Sequence, residues 1–203
     1  AVTYYEILLK KYGKGRERKT EIKQFDIIQA KAVAIANIKL YANYADGFIG
    51  TGLKKDVLIT DVSELDDIIA FTKGGIMKVV KVADKVFIGK DILHVAVFLK
   101  TDDRTTYNLI YADGKTGVSY AKRFNVTGIT RDKEYNLTKG TEKSKVHYFS
   151  ANPNGEAEVV KVLLSPNCSA RNKELEFYFE VLEIKGRGSM GNQVTKYPIK
   201  SVK

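Results

Sequence analysis

The chain has 203 residues, 44% of them apolar, and a formal net charge of +10 from 34 Lys and Arg against 24 Asp and Glu. This composition excludes general disorder and favours a polyanionic partner, nucleic acid first. The single cysteine, Cys168, excludes an internal disulfide framework and fits a reducing cytoplasm, and no apolar run approaches a membrane span or follows a basic stretch as in a signal peptide.

The first residues predict a helix. Val2, Tyr5, Leu8, Leu9 and Tyr12 share one face at helical spacing, and Gly13 and Gly15 end it. The helix begins abruptly, with no initiating Met and no N-cap residue, so the sequence reads as a piece of a longer polypeptide. The expected organisation is the end of a connector helix and linker over 1–27, then one β domain over 28–203.

From about Phe25 the pattern changes to short segments of alternating polarity, such as Val118–Phe124 and Leu175–Val181, which is the period of strands. Four glycine turns of hairpin type separate them: Asp46-Gly47, Gly74-Gly75, Asp113-Gly114 and Asn154-Gly155. Phe48-Ile49-Gly50 recurs as Phe87-Ile88-Gly89 after 39 residues, and Val126-Thr127-Gly128 follows after another 39. The turn glycines keep a similar beat, 39 from Gly75 to Gly114 and 41 from Gly114 to Gly155. A unit of this size, a small antiparallel sheet of four strands, is that of a propeller blade, which buries its faces by stacking on its neighbours. The expected fold is therefore all-β, with four blades at about 31–66, 67–104, 105–145 and 146–203, five being the alternative. Pro166–Asn172 reads as an exposed loop before an added strand pair.

A search for catalytic chemistry yields no site. His94 and His147 lie in strand-like runs without Cys or carboxylate partners at ligand spacing, so no metal is expected. Gly186-Arg187-Gly188-Ser189-Met190-Gly191 lacks the strand, helix and acidic partner of a dinucleotide fingerprint and reads as a loop. Asp66-Asp67 and Asp102-Asp103 fall at seams between repeats, where polar connectors belong. Most of the aromatic residues stand at core-facing positions.

The cations follow the repeat. Lys54 and Lys55 come after the first loop glycine, Lys90 after the second and Arg131 after the third, while Lys185, Arg187 and Lys196 bracket the last. With Lys73, Lys78 and Lys133 they are candidates for a positive belt on one rim, matching the phosphates of a bent duplex. Lys122 and Arg123 belong either to that belt or to charges that protect strand edges. The rival readings are a propeller that serves as a protein-interaction platform and an enzyme with an axial site.

Several stretches resemble the A subunits of bacterial type IIA DNA topoisomerases, gyrase and topoisomerase IV. Residues 12–22, Tyr-Gly-Lys-Gly-Arg-Glu-Arg-Lys-Thr-Glu-Ile, are similar to the segment that joins their coiled-coil core to the C-terminal domain. Residues 69–78 resemble a blade strand and turn, residues 184–192 the Gly-Arg-rich loop before a closing strand, and residues 123–135 a stretch of the Bacteroidetes topoisomerase IV-like subunits. The resemblance implies a β-pinwheel, whose blades exchange strands and whose rim binds and bends double-stranded DNA. It implies as partners the remainder of the A subunit, together with an ATPase B subunit, in an A2B2 enzyme. ATP and Mg²⁺ would act elsewhere in that enzyme, and neither a cofactor nor a catalytic residue is expected in this chain. In place of the gyrase box Gln-Arg-Arg-Gly-Gly-Lys-Gly stands a loop that keeps Gly47, Gly50, Gly52 and Lys54 but no arginine. This degenerate box implies relaxation and decatenation rather than supercoiling.

Overall fold

A computed structural model describes residues 2–15, 36–100 and 102–203. The chain divides into two compact units, Ala1–Val33 and Ala34–Lys203. The boundary expected near residue 27 and most of the 12–22 junction lie outside the described residues. In the first unit α1 spans Val2–Tyr12 and ends where Gly13 N–H donates to the Leu9 carbonyl at 2.8 Å. None of its residues is buried, and of the predicted apolar face only Leu8 is partly covered.

The described residues of the second unit hold sixteen strands in four sheets. The first sheet has β1 (Ile38–Asn43), β2 (Phe48–Gly50), β3 (Val57–Val62) and β6 (Val86–Phe87) in the order β3-β1-β2-β6. The second runs β10-β5-β4-β7, from β4 (Asp67–Thr72), β5 (Ile76–Lys81), β7 (Ile92–Phe98) and β10 (Glu134–Asn136). In the third, β8 (Thr106–Ala112) and β9 (Ser119–Asn125) form the central hairpin. On it lie β11 (Lys145–Asn152), β14 (Ile184–Gly186) and β15 (Asn192–Thr195), in the order β11-β8-β9-β14 with β15 also against β9. The fourth has β12 (Val159–Leu164), β13 (Glu174–Tyr178) and β16 (Ile199–Val202) in the order β13-β12-β16.

Four sheets match the expected blade number, but their strand counts differ and the ladders are not uniformly antiparallel, because β14 pairs with β9 in parallel. Each of the first three sheets takes its last strand from a later segment: β6 crosses back to the first, β10 to the second, β14 and β15 to the third. Among the described residues no strand joins the fourth sheet to the first, so the series is not closed by strand sharing.

This exchange explains why the 39-residue beat misleads. Phe48 and Phe87 are not corresponding positions; they are cross-strand partners, with ring centroids 5.2 Å apart. The true counterpart of Ile88 is Leu137: each donates its N–H to the carbonyl of the preceding hairpin glycine, Gly47 at 2.8 Å and Gly75 at 2.7 Å. Both glycines have positive φ, as their turns require. The third hairpin puts its positive φ at Gly117 rather than Gly114, whose Cβ would lie 1.9 Å from the Glu142 carbonyl. Asn154-Gly155 is no hairpin turn at all, since it leads from β11 in the third sheet to β12 in the fourth. The strand expected over Leu175–Val181 ends at Tyr178 in a 3-10 turn.

Three apolar clusters lie between successive sheets. Leu40, Ile49, Ile68, Ala70, Ile88 and Val95 pack between the first and second, while Ile69, Phe71, Val79, Leu109, Tyr111 and Phe124 pack between the second and third. Ile110, Ala121, Val162, Phe179 and Ile199 fill the next gap. Consecutive residues of β4 thus face different clusters, and β4, together with all but the last residue of β8 and of β9, is buried throughout rather than on alternate residues. At about 1.5–3 kcal/mol per large apolar side chain, burial on both faces makes the second and third sheets the main source of stability.

Candidate nucleic-acid interface

The three hairpin turns lie side by side and are tied together through the chain that passes between them. Ile92 N–H donates to the Tyr44 carbonyl at 2.8 Å, Lys73 N–H to Asp91 at 2.8 Å, Val146 N–H to Lys73 at 2.8 Å, and Gly114 N–H to Ser144 Oγ at 3.1 Å. These bonds draw turns 44–47, 73–75 and 113–117 and segments 88–92 and 137–146 into one continuous edge. Loop 51–56 joins it, because Asn43 Nδ2 donates to Asp56 Oδ1 at 3.0 Å.

Lys54, Lys55, Lys73 and Lys90 are exposed on this edge. So are Lys115, Lys139, Lys143 and Lys145, which the spacing argument missed because it keyed on the loop glycines instead of the turns. The exposed acids there are Asp46, Asp91 and Glu142, whereas Asp113 is buried and accepts from Thr116 and Thr141. The excess of positive charge is felt by His147 on β11. Burial first, and then the charges of Lys145 and Lys73, hold its imidazole below the usual value of 6.5.

The remaining candidates lie elsewhere. Arg131 pairs with Asp67 at 2.8 and 3.1 Å, which raises its own pKa, and Asp67 begins β4, at the end of the second sheet away from turn 73–75. Lys185 and Arg187 stand beside the C-terminal end of β9, opposite turn 113–117. Lys185 lies 3.5 Å from Glu183. The Arg187 guanidinium donates to the Gly128 carbonyl and stacks 4.2 Å from the centroid of the Tyr135 ring, over which Lys133 Nζ also sits at 5.5 Å. Lys78 is half-buried opposite Glu134, and Lys196 is exposed beside Tyr197. Lys54, Lys90 and Arg131 therefore do not occupy one equivalent place per repeat, which is a correction to the single belt.

Two candidates are buried. Lys122 is 3% exposed, and its Nζ donates to the carbonyls of Arg187 at 2.5 Å and Ser189 at 2.9 Å; burial lowers its pKa to about 8. Arg123 is 7% exposed and donates to Asn108 Oδ1, Gly155 O and Glu156 O at 3.1, 2.7 and 3.1 Å. Asn108 in turn donates to the Glu158 carboxylate, so the network pins the chain between the third and fourth sheets. Both cations serve the fold, and neither belongs to the belt or to an exposed edge.

The box loop owes its glycines to the exchanged segment. A Cβ at Gly47 would lie 2.1 Å from the Gly89 carbonyl oxygen, one at Gly50 2.1 Å from that of Asp84, and one at Gly52 3.1 Å from the same atom. Thr51 and Gly52 donate their N–H groups to Ala83 and Asp84, which lays the two chains against each other. Among the described residues no group of His, Cys, Asp and Glu has the arrangement of a metal site, and no helix is long and apolar enough to cross a membrane.

Exchanged strands, stacked small sheets and a basic edge of turns define a β domain built of successive small sheets. Residues 39–203 match the family described as Topoisomerase C-terminal domain, Bacteroidota, and the chain belongs to that family. It is similar to the A subunit of DNA topoisomerase 4 from Borreliella burgdorferi, at 28% identity over 205 residues that cover 100% of this chain and 31% of the relative. The chain thus spans about a third of the length of that curated relative.

Proposed function

We propose that this chain is the DNA-binding and DNA-bending domain of a type IIA topoisomerase A subunit. In this reading it is a β-pinwheel that steers duplex segments toward ATP-dependent strand passage carried out by the rest of an A2B2 enzyme in the cytoplasm. The observation that carries the reading is the edge of linked hairpin turns, where Lys54, Lys55, Lys73, Lys90, Lys115, Lys139, Lys143 and Lys145 from three sheets outnumber the exposed acids. Such an edge meets phosphates without reading base edges, so binding depends on salt and on the ease of bending rather than on sequence. The arginine-free box loop, with its glycines used to seat the exchanged segment, supports relaxation and decatenation over supercoiling.

The test is binding to linear duplexes of increasing length across a salt series, with end-to-end energy transfer to report bending. The expected result is salt-sensitive binding that brings the DNA ends together, weakened about tenfold or more and with a shallower salt slope in the K73E/K90E/K145E variant. An unchanged affinity in that variant removes the turn edge from the interface. A second reading, a protein-interaction platform, is favoured by the outer face of the first sheet, where Leu58 and Phe87 are 50% and 51% exposed. No duplex binding at low salt would move the assignment there.

A further inference from the structure

Glycine is costly in a folded chain unless something requires it. Of the sixteen glycines, Gly128, Gly186 and Gly188 alone combine φ outside the left-handed region with no atom within 4 Å of the place a Cβ would occupy, beyond their own chain neighbours. Neither backbone conformation nor packing within the chain explains them. All three are exposed.

They also converge. Ser189 N–H donates to the Gly186 carbonyl at 2.9 Å and closes a turn with Arg187 and Gly188 at its corners. Gly186 is paired with Asn125 at the end of β9, and the chain beyond β9 leads to Gly128, whose carbonyl accepts from Arg187. The N–H groups of Gly128 and Gly188 donate to no acceptor among the described residues. Around this patch stand Lys185, Arg187 and Lys133, with Glu183 offsetting part of the charge of Lys185. Glycine in a loop that nothing else touches marks a place where another backbone comes close, and unused N–H groups among cations suit an anion.

We propose that this patch is a second contact for the sugar-phosphate backbone of duplex DNA, at the end of the third sheet opposite the hairpin turns. It rests on the DNA-binding reading and adds to it a separate site, whose three missing Cβ atoms let a row of phosphates reach backbone N–H groups. An open surface of two loops fits the phosphates of a polymer better than a single enclosed ion.

The experiment compares the 203-residue chain with its G128A/G186A/G188A variant, and with G188A alone, in thermal melting and in binding to one linear duplex at low salt. Amide resonances of Gly128 and Gly188 are followed during titration of the unsubstituted chain. The expected result is a melting temperature unchanged or raised in both variants, affinity lowered at least fivefold in the triple variant and less in G188A, and shifts at both amides. A triple variant that binds as tightly as the unsubstituted chain, or that melts well below it, overturns this inference and leaves the proposed function standing. An unsubstituted chain that binds no duplex at low salt overturns both.

Discussion

Two glycine-rich loops of similar composition, 47–52 and 186–191, are built for different reasons. In the first, Gly47 and Gly50 are forced by the chain itself, because segment 83–89 passes so close that a Cβ at either would strike a carbonyl oxygen. In the second, Gly191 answers to the same constraint, its Cβ position lying 2.4 Å from the Ala121 carbonyl, while Gly186 and Gly188 stand clear. A glycine in a sequence says that a side chain is unwelcome. It does not say whether the obstacle is the molecule or something the molecule meets.

The contrast between the loops is tested most severely by Gly47→Ala, which combines a positive φ with a backbone clash. The expected loss is about 4 kcal/mol of unfolding free energy, measured by urea denaturation. Stability close to that of the unsubstituted chain would mean that the exchanged segment does not press on the turn. Next comes Arg123→Met, which takes the guanidinium from the buried Asn108 Oδ1 and from the Gly155 and Glu156 carbonyls, the last of which keeps Asn108 Nδ2 as a donor, and is expected to cost about 3 kcal/mol. If it costs under about 0.5 kcal/mol by the same measurement, water reaches that network.

Lys122 offers a test through pH. Its folded pKa of about 8 lies below the ordinary 10.5, so between these values the unfolded chain holds a proton that the folded chain has released. Stability due to this group therefore rises with pH across that window, and the cost of burying the charge is fully present below about pH 8. Relative to Lys122→Met, the chain is expected to gain roughly 2–3 kcal/mol between pH 7.5 and 10.5. Equal differences at the two pH values would show that Lys122 is not desolvated. The smallest effect belongs to Lys54→Ala and Lys90→Ala, expected within about 0.5 kcal/mol of the unsubstituted stability. A larger loss would make these exposed lysines parts of the fold.

Much of the architecture was legible in the sequence. Three of the four glycine dipeptides do join paired strands, and the number of sheets is the expected four, because hairpin chemistry is local. The resemblance implied an exchange of strands, but the periodicity did not show where it falls, since β6 is two residues long and β10 three, too short to show a period. That omission aligned Phe48 with its own partner Phe87 and carried Lys90 and Arg131 into one imagined row. Lys122 and Arg123 were misplaced for another reason. Alternation predicts that one face of β9 is wet, whereas β9 is covered on both faces and its cations are satisfied by carbonyls that only the fold brings near.

The borrowed strands also set a timetable for synthesis. As the chain emerges from a ribosome, the first sheet lacks its edge until residues 86–87 are made, the second until 134–136, and the third until 192–195. Each of these three sheets waits, with an open ladder, for residues that belong to the span of the next. The order of completion runs from the N-terminus to the C-terminus, and a ribosome that stalls between Asn125 and Glu134 would leave β5 unpaired on its outer side, a ready template for a neighbouring chain.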